Sequence, residues 1–199
     1  MGRRKRISNP VLLAAARDVF VRDGAAGSTA EIAARAGVSE ATLFKRFSTK
    51  AALFIAAMAP PRVDAEAIVA EADETPDARA ALTLIGERAL AYFREALPLA
   101  IPLISNPLIG FEGLRRHFEF GGAQALTGAV AGFIARRVSA GEMRSTDPLA
   151  SAMALIALVH SIAQFEVMGM HAEAMPPAGV RALIDALWDG LAPTKEPQA

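Results

Sequence analysis

Residues 28–50, STAEIAARAGVSEATLFKRFSTK, hold two short helical patterns on either side of Gly37, with only about three residues left for the turn between them. Ser28 with Glu31 three positions on is a capping-box pair, opening a helix that runs through Ile32 and Ala33 to Ala36. Gly37 can take the left-handed conformation that stops a helix, and Ser39 can cap the next one at once. So short a turn forces the two helices to cross steeply, and alanines at 33, 34 and 36 let their backbones approach. In the second helix Leu43 and Phe47, four apart, share a core-facing side with Val38 from the turn. Glu40, Ala41, Thr42, Phe44, Lys45 and Arg46 are left on or near the outer side.

The rest of the chain predicts more helix. Hydrophobic residues make up 53% of the 199 and aromatics only 6%, with Ala and Leu abundant and β-branched runs scarce, so the fold class is all-α. Asn9 and Pro10 form a cap and first turn, and Val11, Leu12, Ala15, Ala16, Val19 and Phe20 recur at helical spacing until Gly24. Further helices are predicted at about 50–58, 64–72, 77–97, 112–140, 148–169 and 177–191. Three prolines, at 98, 102 and 107, break the apolar run 97–110, which is expected to pack as broken helix. The domain division expected is a small N-terminal module, residues 1–50, followed by a larger helical domain, residues 51–199.

Charge separates the same two parts. The first 50 residues hold ten Lys/Arg against four Asp/Glu, a balance of +6, and the neutral whole leaves the remainder at −6. A basic block beside an acidic one points the first part towards a polyanion. The chain has no Cys, which excludes disulfides and thiolate chemistry, and its basic N-terminus lacks the apolar core of a signal peptide. A cytoplasmic location is expected. Residues 148–165 are uncharged over 18 positions but carry His160, Ser161 and Gln164, so a buried or interfacial helix is expected there rather than a membrane span.

A helix-turn-helix places its second helix in the DNA major groove, its first residues near base edges and flanking groups on phosphates. Ile32-Ala33, Ala36-Gly37-Val38-Ser39, Thr42-Leu43, Phe47 and Lys50 meet that pattern, and the stretch resembles the DNA-binding segment of the TetR (tetracycline repressor) family of bacterial transcription regulators. A weaker likeness lies in GEMRSTDPLASA at 141–152, similar to the turn before the family's penultimate helix. The resemblance implies an N-terminal helix-turn-helix DNA-binding domain followed by a helical ligand-binding and dimerisation domain. It puts Thr42 and Lys50 at phosphate-contacting positions and makes the outer face of Ser39, Glu40, Ala41, Thr42, Phe44, Lys45 and Arg46 the reading surface. Phe44 departs from the family, many of whose members have a Tyr there. Glu40 either accepts from a cytosine amino group or favours the helix N-terminus through its dipole. Arg3, Arg4, Lys5 and Arg6 are either a phosphate or minor-groove arm or a solvated tail, the first being preferred beside a helix-turn-helix.

Catalytic constellations are missing from the sequence: no Glu-x-x-His pair, no P-loop, and no second His or Cys at metal-ligand spacing from His117, His160 or His171. No enzyme activity, metal or cofactor is expected. Candidate ligand contacts in the second domain are Tyr92, Phe93, His117, Phe118, His160, Gln164 and Phe165, with His160 and Gln164 equally able to form an interface pair. Val180, Leu183, Ile184, Leu187, Trp188 and Leu191 make an apolar stripe, so a homodimer through the last two helices is expected. The function expected is a ligand-responsive regulator, in the family's commonest form a repressor. It would bind a palindromic double-stranded DNA operator and an apolar or amphipathic effector, with no membrane partner. The helix from Lys50 is the expected lever between the two activities, with Leu53, Phe54 and Met58 facing the second domain. The rivals are a ligand-independent DNA-binding regulator and a helical-bundle enzyme or binding protein.

Overall fold

The computed structural model describes residues 7–106, 121–144, 147–170 and 173–191, with side chains to residue 188. Arg3, Arg4, Lys5, Arg6, His117 and Phe118 lie outside the described residues, as does the side chain of Leu191. Regular structure among the described residues is all helical: α1 (Asn9–Asp23), a 3-10 turn (Gly24–Ala26), α2 (Thr29–Ala36), α3 (Glu40–Arg46), α4 (Lys50–Ala57), α5 (Ala65–Asp73), α6 (Ala78–Ile104), α7 (Gly122–Ser139), α8 (Pro148–Val167) and α9 (Pro177–Leu191).

Caps written in the sequence start most of these helices. Thr49 Oγ1 accepts from Ala52 N at 3.0 Å, Asp64 from Ala67 N at 2.9 Å, and Asp147 from Leu149 N at 2.9 Å ahead of Pro148 at the first helical position. Each satisfies an N–H that the helix itself cannot pair.

Two compact units emerge. Residues 7–60 with 98–106 form one, and 61–97 with 121–191 the other. The core of the first joins Leu12, Ala16, Val19 and Phe20 of α1 to Ile32, Ala33 and Ala36 of α2 and to Leu43 of α3. Leu53, Phe54, Ala57 and Met58 complete it from the α4 side, where Phe20 and Phe54 meet edge to face with ring centres 5.0 Å apart. Leu53, Phe54 and Met58, expected to face the second domain, share this core with Leu99 and Leu103, which fall within residues 51–199. All three are at most 2% exposed in the first unit's core, where α4 packs directly on α1. Gly27 permits the tight chain reversal before α2: a Cβ there would lie 2.9 Å from Val19 Cγ1.

A second difference concerns the prolines. α6 continues through Pro98 and Pro102 to Ile104 instead of ending near residue 97. Each proline removes one backbone hydrogen bond. Leu99 and Leu103 offset that loss by burying themselves in the first unit's core, at 7% and 0% exposure.

In the second unit α7 packs against α5 and α8, and α8 against α9. The buried side of α8 carries Ala152, Leu155, Ile156, Val159, Ile162 and Ala163, while Leu149 and Met153 of the same helix are more than half exposed. By length and composition α8 could cross a membrane, although only 33% of its most apolar window is buried within the fold. Arg137 of α7 turns its guanidinium, 11% exposed, onto the carbonyl end of α5. It donates to Thr75 O at 2.9 Å, reaches Ala72 O at 3.5 Å, pairs with Glu142 at 2.6 Å and lies 5.1 Å from the Phe133 ring.

Candidate nucleic-acid interface

The turn between α2 and α3 is built as its residues predict. Gly37 sits in the left-handed region at φ 68°. Its N–H donates to Ala34 O at 3.1 Å and that of Val38 to Ala33 O at 3.0 Å, the doubly bonded helix stop that a glycine makes possible. Val38 packs against the core, and Ser39 Oγ then accepts from Thr42 N at 3.2 Å to start α3. At the other end of α2, Ser28 Oγ accepts from Glu31 N at 3.3 Å. The Glu31 carboxylate is held by Arg22 at 2.8 Å and Arg35 at 2.8 Å, so the sequence-predicted reciprocal cap gives way to an ion-pair cluster.

Those pairings decide where positive charge remains free. Arg22 also grips Asp23 at 2.6 Å; its hydrogen bonds hold the Asp23 and Glu31 carboxyls below their usual range and raise its own pKa. Arg17 Nε donates to Ala57 O at 2.9 Å, and Arg46 Nη1 to Asn9 Oδ1 at 3.3 Å. Lys45 and Lys50 have no hydrogen-bond or ion-pair partner among the described residues. Lys45 is exposed on α3, and Lys50 is half-buried at the first position of α4.

The remaining predicted contacts fall on the same short helix. Ser39, Glu40 and Ala41 are exposed, Phe44 is 38% exposed, and Thr42 and Arg46 turn half inward. Thr42 Oγ1 and Ser39 Oγ are 2.9 Å apart and share one hydrogen bond. Glu40 accepts from Thr29 Oγ1 at 2.6 Å, so its carboxylate ties the start of α3 to the start of α2. Thr29 and Asn9 are the positions that sequence reading missed, since each acts through a partner 11 and 37 residues away.

Two steeply crossing helices around a glycine stop, the second presenting an exposed face beside unpaired lysines, make a helix-turn-helix. The family model for bacterial regulatory proteins of the tetR family matches residues 12–57, the span of α1 to α4. Residues 12–57 are a DNA-binding domain of the tetR family. That stretch is a helix-turn-helix DNA-binding domain at the N-terminal end of the chain. No curated protein matches the sequence. Among solved structures, a protein of unknown function from Rhodococcus sp. RHA1 is 25% identical at a TM-score of 0.67, over 96% of this chain and 100% of that one. NalD of Pseudomonas aeruginosa, the secondary repressor of the MexAB-OprM multidrug efflux pump, is 18% identical at 0.64, over 94% and 96%. FadR of Bacillus subtilis, solved with stearoyl-CoA, is 16% identical at 0.60, over 92% and 99%. The last two likenesses carry the TetR fold.

In the second unit the fold gathers three of the predicted ligand residues. Phe93, 3% exposed, has its ring centre 5.2 Å from that of Tyr92 and 5.0 Å from that of His160, the latter edge to face. Burial raises the Tyr92 phenol pKa and lowers that of His160, so both are neutral near pH 7. The Tyr92 hydroxyl lies against Gly122, where a Cβ would overlap it. Gln164 is half-buried one turn from His160, and Phe165 is 40% exposed. Sequence reading missed a neighbouring clamp: Arg94 holds Glu166 through two bonds of 2.8 Å and donates to Met175 O at 2.8 Å, while Met175 N returns to Glu166 at 2.7 Å. Among the described residues no group of three or more His, Asp or Glu is placed to hold a metal ion.

Proposed function

We propose that this TetR-family regulator is a ligand-responsive repressor that binds a palindromic operator as a homodimer. The observation that carries the DNA half is the exposed face of α3, flanked by Lys45 and Lys50, two cations without a partner among the described residues. On this reading the DNA contacts fall within residues 1–50, where Arg3, Arg4, Lys5 and Arg6 add a basic arm. Effector binding and dimerisation fall within 51–199. Leu149 and Met153 on α8, with half-buried Leu187 and Trp188 on α9, supply an apolar surface for a second copy. A two-fold pair of α3 helices would then meet half-sites about 34 to 36 Å apart.

Tyr92, Phe93 and His160 support an effector site that is mostly apolar with neutral hydrogen-bonding groups, suited to an apolar or amphipathic molecule. NalD as a repressor and FadR with its acyl-CoA are consistent with this division of labour. The test is a band shift on the DNA upstream of the coding sequence, repeated over a salt series and then against a panel of small molecules. Affinity should fall steeply with salt, and an effector should weaken it about 5- to 150-fold. Lys50→Ala should weaken binding to all sequences alike and flatten the salt slope by about one unit. Operator binding that no bound small molecule alters favours the ligand-independent regulator. No salt-dependent binding at all favours the enzyme or binding protein.

A further inference from the structure

We propose that Ala41 and Phe44 read the 5-methyl group of thymine in each half-site, so that methyl contact rather than side-chain hydrogen bonding is the main sequence signal of α3. The proposal rests on the reading of α3 as the helix that enters the major groove.

The argument is one of which groups are left over. The polar side chains at the start of α3 are already engaged within the protein: Ser39 with Thr42 N and Thr42 Oγ1, and Glu40 with Thr29. Arg46, at its end, donates to Asn9. What α3 presents outward without a partner is Ala41, Phe44 and Lys45. Ala41 and Phe44 are three apart and so lie on one face. Phe44 is 38% exposed, whereas its neighbour Leu43 is fully buried in the first unit's core. A phenyl ring 38% exposed at this place keeps apolar surface for a partner and cannot hydrogen-bond a phosphate. In the major groove each base edge offers hydrogen-bonding atoms, and thymine alone adds an apolar group, its C5 methyl. An alanine methyl and a phenyl ring side by side match that group and no other. Lys45, four residues from Ala41, supplies a positive charge beside the apolar pair without fixing which base lies under it.

The test starts from a pool of duplexes with about 20 random base pairs, bound to the full chain through several rounds, a length that spans two half-sites. Enriched sequences are then remade with deoxyuridine for thymidine, one position at a time, which removes the methyl and keeps the pairing. One or two positions per half-site should lose affinity about fourfold, the value of one buried methyl group. Phe44→Ala should bind the thymidine and deoxyuridine duplexes equally at those positions. The deoxyuridine series uses the unaltered protein, so a folding defect in the variant cannot imitate the result. Changes below about 1.5-fold at every position would overturn the proposal, as would a fourfold penalty that survives in both Phe44→Ala and Ala41→Gly. If no duplex is enriched, the DNA-binding reading itself fails and the methyl readout falls with it, an outcome distinct from enrichment without methyl sensitivity.

Discussion

Thr29 Oγ1 donates a 2.6 Å hydrogen bond to the Glu40 carboxylate, joining the first residues of α2 and α3. A negative side chain on a DNA-reading helix thereby has an intramolecular reason to be there. Glu40→Gln keeps an acceptor for Thr29 and removes the charge. It should strengthen binding to all duplexes by about two- to fivefold at low salt, the range for one exposed charge, with base preference unchanged. Fluorescence anisotropy on matched and mutated duplexes checks this. A change of preference confined to a C·G position would show that Glu40 reads cytosine.

Arg137 closes the C-terminal end of α5 from another helix, and no other described cation reaches those carbonyls. Arg137→Ala should cost about 2 to 3 kcal/mol, as loss of charge-assisted bonds at a mostly buried site does. Thermal unfolding should show a drop of about 5 to 10 °C. Arg137→Lys should recover only part of it, because an ammonium cannot serve Thr75 O and Glu142 with the same fork.

The outward side of α8 supplies the cleanest test of dimerisation. Met153 is 57% exposed within one chain, so Met153→Glu leaves the core untouched. Sedimentation at micromolar concentration should show the variant at half the mass of the parent, with operator affinity lost because one half-site alone binds weakly. Leu187→Glu should do the same from α9. A parent protein that sediments as a monomer contradicts the dimer outright.

His160 gives the stability a pH dependence of known sign. Burial lowers its folded pKa below the ordinary value of 6.5, so the unfolded chain binds the proton more readily. Its contribution is complete above pH 6.5 and is lost as pH falls through the folded pKa. Paired carboxylates such as Glu31 and Glu71 act in the same direction at lower pH, so the measurement must be a difference. The melting temperature of the parent should fall more between pH 7 and 5 than that of His160→Gln. Parallel curves would show that the imidazole charges as easily folded as unfolded.

What sequence reading captured was local chemistry. Ser28, Gly37 and Ser39 each act on backbone groups within a few residues, so their roles are written in adjacent letters. The exposure of Glu40, Ala41, Phe44 and Lys45 on α3 followed from helical spacing in the same way, while Thr42 and Arg46 turn half inward. Glu31 was misjudged because two arginines outcompete a backbone N–H for its carboxylate, and one of them comes from α1. α6 was cut short because proline propensity is local while the burial of Leu99 and Leu103 is tertiary. Arg94, Glu166 and Met175 meet only once three separate segments have packed, which no spacing rule reveals.

Leu99 and Leu103 also impose an order in time. α1 to α4 leave the ribosome first, yet the core they share is closed by side chains synthesised about forty residues after Met58. At about 5 to 20 residues per second that is a wait of roughly 2 to 8 s. During it the nascent helix-turn-helix exposes the apolar groove that those leucines will fill. A fragment released near residue 60 would lack the two leucines that complete this core.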